Sequence, residues 1–430
     1  MSRAGARPGV LAAALLALLP AGPAGAGEAA DADAAALSLA DLQSDEVAQA
    51  SDWRSFVEAG AGASVRRGDG AMQGSRRLSV DIRYEHSLAP GARVFLADRL
   101  DLGQPAPGVG EHAVNTLKEA YLSWQLAADA MLDLGRINVR NGVAAGYNPT
   151  DYFREGAVRA PISINPASLR ENRQGSVMLR AQRLWDGGSL TALYSPALVR
   201  ESNPEGLALD VGATNARHRG LLALSQRVGG LTPQWLVFHE EARSTRFGFN
   251  LTGLLNDATV AYLEWSGGRS ATQLAEALHA LTPACECSAW HNRIAGGLTY
   301  TTPDKLSLTA ELHHNGAGLE SAAWNALRQG PPALYGQYRS ALRSSQEMPT
   351  RRALFLQAQW QDALLPRLDL GLMHNLDLVD RSRRVWAEAR YHVDRVEYAF
   401  QWVLHGGEAG SVYGAVPEAR GWQLLARYYF

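Results

Sequence analysis

Charged side chains recur at every second position near the end of the chain, a spacing that suits them to bind and guide ions. Arg384, Glu388 and Arg390 all occupy even-numbered positions, and Glu397 and Arg427 lie in similar alternating segments. A guanidinium group holds a carboxylate or a phosphate through two parallel hydrogen bonds. Because successive residues of a β-strand point to opposite faces, this spacing predicts one charged face on each strand.

The same alternation extends towards the N-terminus and predicts a polar interior lined by both charges. The predicted members of this polar face are Arg83, Glu119, Arg180, Arg293, Arg367, Arg384, Glu388, Arg390, Arg395, Glu397 and Arg427. Their arginines could guide an anionic solute. Alternatively, the charges could form cross-strand ion pairs that stiffen the wall.

The other face of the same segments is apolar and rich in aromatic residues. Tyr398, Phe400 and Trp402 alternate with Glu397 and Gln401, for example. A soluble sandwich rarely combines so many large aromatics on one face with so many charges on the other. This combination is typical of a membrane β-barrel with a water-filled interior.

The sequence offers no recognisable catalytic or metal-binding motif. It has no Gly-x-Ser-x-Gly elbow, no His-Glu-x-x-His and no glycine-rich phosphate loop after a strand. His313 and His314 are neighbours in a predicted strand and therefore point to opposite faces. Cys285 and Cys287 are expected in an outer loop, where a local disulfide is favoured over a metal site. We expect no catalytic residue, no metal and no cofactor.

The start of the chain predicts export from the cytoplasm. Two arginines, a short apolar run and the small residues Ala24-Gly25-Ala26 predict a cleaved signal peptide over residues 1–26. Residues 27–51 are expected to form a periplasmic segment, and residues 52–430 the barrel. No later stretch approaches the roughly 18 apolar residues of a membrane-spanning helix. A closed barrel can nevertheless span a membrane, because closure pairs every backbone group.

The balance of charge argues against a nucleic-acid partner. The chain carries 41 Lys and Arg residues against 43 Asp and Glu residues, a formal net charge of −2. A nucleic-acid-binding protein would be expected to show a strongly basic surface.

The alternating segments predict an all-β fold, a transmembrane antiparallel barrel of about 18 strands. The least distinct segments are 216–228 and 246–253, and without that hairpin the number falls to about 16. Long connections follow odd-numbered strands and short ones follow even-numbered strands, which predicts long extracellular loops and short periplasmic turns. Within the loop after residue 266, Ser270 is expected to begin a short helix that ends at Leu281.

The longest early interruption, 139–170, is expected to fold into the barrel mouth and narrow the pore. Its scattered apolar residues are too costly to leave in water and too irregular for a strand, and structureless loops of this length are unusual. The predicted constriction residues are Arg140, Asn148, Asp151, Arg154 and Arg159. The alternative is a lid that lies outside the rim.

Residues 134–175 also carry a family resemblance. Gly135-Arg136 ends a strand, Asn148-Pro149 and Asp151 follow in a glycine-rich loop, and Arg170 or Arg173 precedes Gly175. This pattern resembles outer-membrane barrels of the porin and alginate-export-like type. The resemblance implies an 18-stranded pore for an anionic polysaccharide or a smaller solute.

The same resemblance implies that the C-terminal aromatics, Tyr428 and Phe430, form the signal read by the barrel-assembly machinery. The chain is therefore expected to be a porin-like channel in the outer membrane of a Gram-negative bacterium, in contact with membrane lipid. It is expected to pass a hydrophilic, possibly anionic, solute or polysaccharide. The alternatives are a barrel enzyme that acts on lipid or surface polysaccharide, and a structural or adhesion barrel. The oligomeric state is left open.

Overall fold

The computed structural model describes residues 52–103, 112–279 and 288–430. The signal peptide predicted over residues 1–26 and the periplasmic segment predicted over 27–51 lie outside these ranges. Cys285 and Cys287 lie outside them as well.

The described residues form an antiparallel sheet of 18 strands. In chain order the strands are β1 (Trp53–Arg66), β2 (Met72–Ala89), β3 (Ala92–Gly103), β4 (Ala113–Ala127), β5 (Ala130–Ile137), β6 (Ser176–Trp185), β7 (Gly188–Ser195), β8 (Arg219–Gln226), β9 (Leu231–Glu240), β10 (Arg246–Asn256), β11 (Thr259–Ser270), β12 (Ala289–Thr301), β13 (Leu306–Asn315), β14 (Arg352–Trp360), β15 (Leu368–Asp377), β16 (Arg383–Val393), β17 (Val396–Gly406) and β18 (Glu418–Tyr429). The larger of the two predicted strand numbers is confirmed, and both of the least distinct segments are strands.

The sheet closes on itself. Each strand pairs with the next one in sequence, and β1 also pairs with β18, for example through Val57 and Tyr428. Closure leaves no strand edge with unpaired backbone groups, as a barrel surrounded by hydrocarbon requires.

The connections fall into two classes, as predicted. Those after even-numbered strands are short, such as Pro90-Gly91 and Asp394-Arg395. The longest ones follow odd-numbered strands and include 138–175, 196–218 and 316–351. The connections after β1, β9 and β15 are short exceptions on the long-loop side.

Side chains alternate between the two faces of the wall as the sequence predicts. On β17, Tyr398, Phe400 and Trp402 are 53%, 45% and 38% exposed, whereas Ala399 and Gln401 are only 3% and 7% exposed. The apolar residues therefore cover the outside of the barrel, where a bilayer would contact them, and the polar residues face its interior.

All five described helices lie in connections after odd-numbered strands. They are α1 (Pro166–Glu171), α2 (Val211–Thr214), α3 (Gln273–Leu278), α4 (Ser321–Gln329) and α5 (Pro332–Ser345). Helix α3 starts later than predicted, because Ser270 still belongs to β11 and the Thr272 side chain caps the helix instead. None of the helices in the described ranges combines the length and the apolar character needed to cross a membrane.

Candidate functional site

The connection 138–175, which we call the inner loop, is fastened to the interior of the barrel by Glu264 on β11. The Glu264 carboxylate accepts hydrogen bonds from the backbone N–H groups of Val143, Ala144 and Thr150, at 3.0, 3.2 and 2.7 Å. Glu264 is completely buried, whereas its neighbour Leu263 is 39% exposed on the outer face. The carboxylate therefore points inwards, and the loop segment bound to it lies inside the wall.

A second carboxylate, Glu311 on β13, holds the next residues of the inner loop. It accepts hydrogen bonds from the backbone N–H groups of Ala145 and Gly146, at 2.6 and 2.8 Å. Tyr262 donates its hydroxyl to the same carboxylate, and a ring nitrogen of His313 lies 2.8 Å from it. Charged acceptors in such a setting bind N–H groups about twice as strongly as neutral ones.

Two glycines make this close approach possible. A Cβ on Gly142 would lie 2.7 Å from the Glu264 carboxylate, and its φ of +102° also disfavours a side chain. A Cβ on Gly146 would lie 2.7 Å from the ring of Phe355 on β14. The glycine-rich run seen in the sequence is therefore required where the loop backbone touches the wall.

The apolar residues of the inner loop pack against one side of the barrel. Tyr152 stacks on Phe238 of β9 at 4.5 Å between ring centroids, and its hydroxyl lies 2.9 Å from Ser266 Oγ. Phe153 meets the same phenylalanine edge-on at 5.9 Å. These rings join a buried cluster with residues of β5 to β9, which include Met178.

Further along, the inner loop reaches the opposite side of the barrel. The Ile162 carbonyl accepts a 3.1 Å hydrogen bond from Arg77 on β2. Ile164 packs on a buried cluster formed by Phe355, Met373 and Trp386, which belong to β14, β15 and β16. The loop thus contacts strands on both sides of the ring and crosses the interior.

Three of the five predicted constriction residues hold the loop instead of facing an open path. Asp151 forms a double hydrogen bond with Arg173, at 2.8 and 3.0 Å, and the two residues are 3% and 1% exposed. Asn148 and Arg154 are also buried, at 6% and 8% exposed. The expectation that Asp151 and Arg154 face the solute path is therefore wrong. Both charged side chains are buried, and a buried charge is stable only beside an ion partner within the protein.

The other two predicted constriction residues differ from each other. Arg140 is exposed. Arg159 donates hydrogen bonds to the carbonyl groups of Glu205 and Ala208 and so joins the inner loop to the connection 196–218.

Several of the predicted polar-face residues form one network on β16 to β18. Arg390 pairs with Glu388 at 3.0 Å and with Glu397 at 2.7 Å. Arg427 lies 3.6 Å from Glu397 and 2.8 Å from Glu58 on β1. The network therefore continues across the seam where the barrel closes.

Five further predicted residues, which include both partners of the pair Arg83 and Glu119, point into the barrel at separate places. Arg83 lies 3.7 Å from Glu119, and Arg180 pairs with Asp133 at 2.6 Å. Arg384 lies over the ring of Tyr413, and Arg293 is buried 3.5 Å from Glu347.

Arg367 and Arg395 do not line the interior, which corrects the prediction for these two residues. Arg367 ends the connection before β15, has a φ of +69°, and pairs at 3.7 Å with Asp394 in the next turn. Arg395 lies in that same turn, before Val396 begins β17. Alternation alone does not mark where a strand begins. Both arginines were assigned to a strand, although each lies one position before the first residue of that strand.

Sequence reasoning missed several buried charges on the inner face of the wall. These are Glu58, Arg99, Lys118, Glu264 and Glu311. At Lys118 a register shift between Ala97 and Asp98 on β3 interrupts the regular pairing of β4. Lys118 thereby reaches Asp81 at 2.7 Å, although the alternation assigns Lys118 and Glu119 to opposite faces. Glu264 and Glu311 could have been found, because each stands between outward-facing apolar neighbours.

In several interior ion pairs the arginine is the more exposed partner. The side-chain exposures are 45% against 19% for Arg83 and Glu119, 27% against 1% for Arg180 and Asp133, and 23% against 3% for Arg427 and Glu58. In each of these pairs the carboxylate is the less exposed partner, and the guanidinium group presents more of its surface to the solvent.

Among the described residues, no group of three or more His, Cys, Asp and Glu side chains is arranged to hold a metal ion. The two histidines singled out earlier do point to opposite faces, since His313 is buried beside Glu311 and His314 is its neighbour on β13.

No family model matches the sequence, and no curated protein matches it either. Solved structures do match its fold. OccAB1 of Acinetobacter baumannii is 11% identical, with 90% of this chain and 99% of that chain covered and a TM-score of 0.55. OccK8 (OprE) of Pseudomonas aeruginosa is 10% identical, with 88% and 98% covered and a TM-score of 0.53. OccK10 (OpdN) of the same organism is 12% identical, with 88% and 99% covered and a TM-score of 0.51.

These similarities show a shared fold, a closed 18-stranded barrel. They agree with the 18-stranded barrel that the resemblance in residues 134–175 implies and give no support to its alginate-export part.

Proposed function

We propose that this protein is a porin-type channel of the bacterial outer membrane that passes small hydrophilic solutes and prefers anions. The proposal rests on a closed barrel with an apolar, aromatic-rich outer face and a charged interior. Such a wall suits a bilayer on one side and water on the other. The signal peptide expected at the N-terminus would supply the route of export.

The solute path runs beside the inner loop. Most anchors of that loop lie on β6 to β14, including the Glu264 and Glu311 carboxylates. The charged wall formed by β16 to β18 and β1 to β6 then borders the remaining space. A loop that crosses the interior narrows this path, which favours a small solute over a polysaccharide.

The proposed preference for anions rests on the exposure of the arginines in the interior ion pairs. Where the carboxylate of an ion pair is less exposed than its arginine, the surface that meets water carries more of the guanidinium charge. Arg83, Arg180 and Arg427 all have this arrangement. The ion pairs can stiffen the wall and favour anions at the same time, because the two roles use different sides of the same groups.

Planar-bilayer recordings of the purified, folded protein test this function. We expect stepwise single-channel currents, and in a KCl gradient a reversal potential of the sign that anion preference requires. A folded barrel that gives no current would contradict the channel and favour the enzyme or adhesion alternatives. A cation-selective current would contradict the assigned role of the arginines alone.

A further inference from the structure

The connection 316–351 forms a packed helical hairpin on the long-loop side of the barrel. Helices α4 and α5 bury Trp324 and Tyr338 completely. The Trp324 indole donates a 2.9 Å hydrogen bond to Asp380 in the connection after β15, and Val412 of the connection after β17 joins the same apolar cluster. This hairpin, which we call the outer hairpin, is therefore held by neighbouring loops as well as by its own strands.

The C-terminal end of the outer hairpin is bonded to the inner loop at three closely spaced residues. The N–H of Gly156 donates to the Ser344 carbonyl at 2.9 Å. The side chain of Gln346 donates to the Arg154 carbonyl at 2.6 Å. One residue further on, Glu347 accepts a 2.5 Å hydrogen bond from the Arg154 guanidinium group.

Glu347 connects three parts of the molecule through one carboxylate. It accepts a second hydrogen bond from the inner loop, from the Tyr147 hydroxyl at 2.7 Å. Its other partners belong to the wall: Arg293 on β12 lies 3.5 Å away, and Asn315 on β13 lies at the same distance. Because side chains this deeply buried have little water to replace a lost partner, the Arg154 charge depends on Glu347.

We propose that Glu347 is the positioning residue that holds the inner loop against the outer hairpin, so that the hairpin determines how far the loop narrows the pore. This inference rests on the proposed channel function. In this arrangement the outer hairpin affects conduction through Arg154, a residue of the inner loop.

The geometry also predicts which part of the inner loop would move. Glu264 and Glu311 hold residues 143–150 to β11 and β13 independently of the hairpin. The contacts that depend on the hairpin are those of residues 154–156 with Glu347, Gln346 and Ser344. Tyr152 and Phe153 pack on Phe238, and Arg159 is bonded to the connection 196–218, both without the hairpin. Loss of the Glu347 charge would therefore free the Arg154 side chain and loosen the loop around it, while the barrel and the rest of the loop stay folded.

The protonation of Glu347 gives this arrangement a pH dependence. Burial raises the pKa of Glu347, but the positive charges of Arg154 and Arg293 and the hydrogen bond from Tyr147 outweigh burial, so the pKa lies below its ordinary value of 4.5. A carboxylate whose pKa is lowered in the folded protein stabilises the contact at pH values above its ordinary pKa, where it is charged. That stabilisation is lost as the pH falls through the lowered pKa. The contact is expected to persist at pH 5 and to weaken below pH 4.5.

The tyrosines around Glu347 do not titrate in that range. The phenols of Tyr147 and Tyr338 stay neutral in acid, since burial raises the pKa of both. His313, whose ring lies 5.7 Å from that of Tyr147, pairs with Glu311 and belongs to the wall anchor. An acid response that arises at any other group would persist after substitution of Glu347, which separates it from the Glu347 contact.

The test compares Glu347→Gln with the wild type in single-channel recordings from pH 7 downwards through the acid range. We expect the wild type to keep its lower conductance at pH 5 and to step to a higher conductance only at a pH below 4.5. Glu347→Gln should show the higher conductance already at pH 7 and lose the acid step, while Glu347→Asp should restore both. Glu320→Gln removes an exposed carboxylate from the base of the same hairpin and should behave as the wild type.

Trypsin digestion of the folded barrels provides a readout that does not depend on conduction. Cleavage after Arg154 should be absent in the wild type and appear in Glu347→Gln. Wild-type conductance, an unchanged acid step and unchanged cleavage in Glu347→Gln would overturn the inference. A wild type that carries no current, but whose cleavage depends on Glu347, would contradict only the proposed channel.

Discussion

At the scale of single residues, the interior of this barrel is organised by the unequal exposure of paired charges. Glu119 is 19% exposed and Arg83 is 45% exposed, although the two side chains lie 3.7 Å apart. A surface ion pair of this kind contributes only about 0–1 kcal/mol to stability. The pair should therefore contribute more to the electrostatic field along the solute path than to the stability of the fold.

Substitutions of the two partners should consequently change ion selectivity in opposite directions. Arg83→Gln removes the more exposed charge and should lower the preference for anions, whereas Glu119→Gln should raise it. Reversal potentials in a KCl gradient measure both effects, and each variant is the control for the other. Shifts of the same sign would mean that these charges do not face the ions that pass.

At the scale of secondary structure, the strands determine what each side chain meets. Phe400 lies near the middle of β17 and is 45% exposed on the outer face, while Gln423 on β18 faces inwards and donates to Gln401. A shift of one residue in register would exchange the two faces.

We therefore expect Phe400→Arg to be far more harmful than Gln423→Arg. An arginine on the lipid face costs about 2–4 kcal/mol near the midplane of the bilayer. At position 423 it would enter a wet, polar interior. Urea unfolding of barrels folded into lipid vesicles measures the difference, and equal destabilisation of the two variants would contradict the assignment of faces.

The inner loop is the second element with a separable effect. Deletion of residues 144–160 should raise the conductance, because it removes the segment that crosses the interior. It should also shift selectivity towards cations, since Glu264 and Glu311 lose their N–H partners and become exposed to water.

Single-channel conductance and reversal potential test both parts of this prediction. The same deletion combined with Glu264→Gln and Glu311→Gln should keep the high conductance and lose the shift towards cations. An assembled deletion variant with unchanged conductance would exclude the inner loop as a constriction.

At the scale of the whole molecule, closure joins the two ends of the barrel. Tyr429 pairs with Phe56 on β1, and the N–H of Phe430 donates to the Ser55 carbonyl at 3.1 Å. Phe430 nevertheless leaves its side chain 63% exposed, with its ring 5.1 Å from that of Tyr428. The backbone of this last residue thus helps to close the barrel while its ring stays accessible to a partner.

Removal of Phe430 should reduce the amount of assembled barrel, whereas Phe430→Tyr should preserve it. The ring is the proposed signal for the assembly machinery, and tyrosine keeps an aromatic group at that position. The measurement is the fraction of protein in the outer membrane that shows heat-modifiable gel mobility. A wild-type yield after the deletion would argue against the C-terminal signal, and recovery of the wild type as a soluble periplasmic protein would argue against the barrel in a membrane.

The amino-acid sequence by itself determined the closed barrel. Every strand carries the signal locally, because one face meets apolar surroundings and the other meets water, as Tyr398 and Gln401 illustrate on β17. The number of strands and the two classes of connection follow from the same local pattern. The resemblance in residues 134–175 added the expectation of a pore, because the alternation of apolar and polar residues predicts only the two faces of the wall.

Tertiary structure alone decided which charges face the path. From the sequence, Asp151 and Arg154 were predicted to be exposed in a loop. They are buried because Arg173 and Glu347, distant in sequence, supply their ion partners. Lys118 joins the interior because β3 and β4 shift their register, which depends on the pairing of two strands and not on either one. Burial and charge pairing arise from contacts between distant segments, so no spacing along the chain could have specified them.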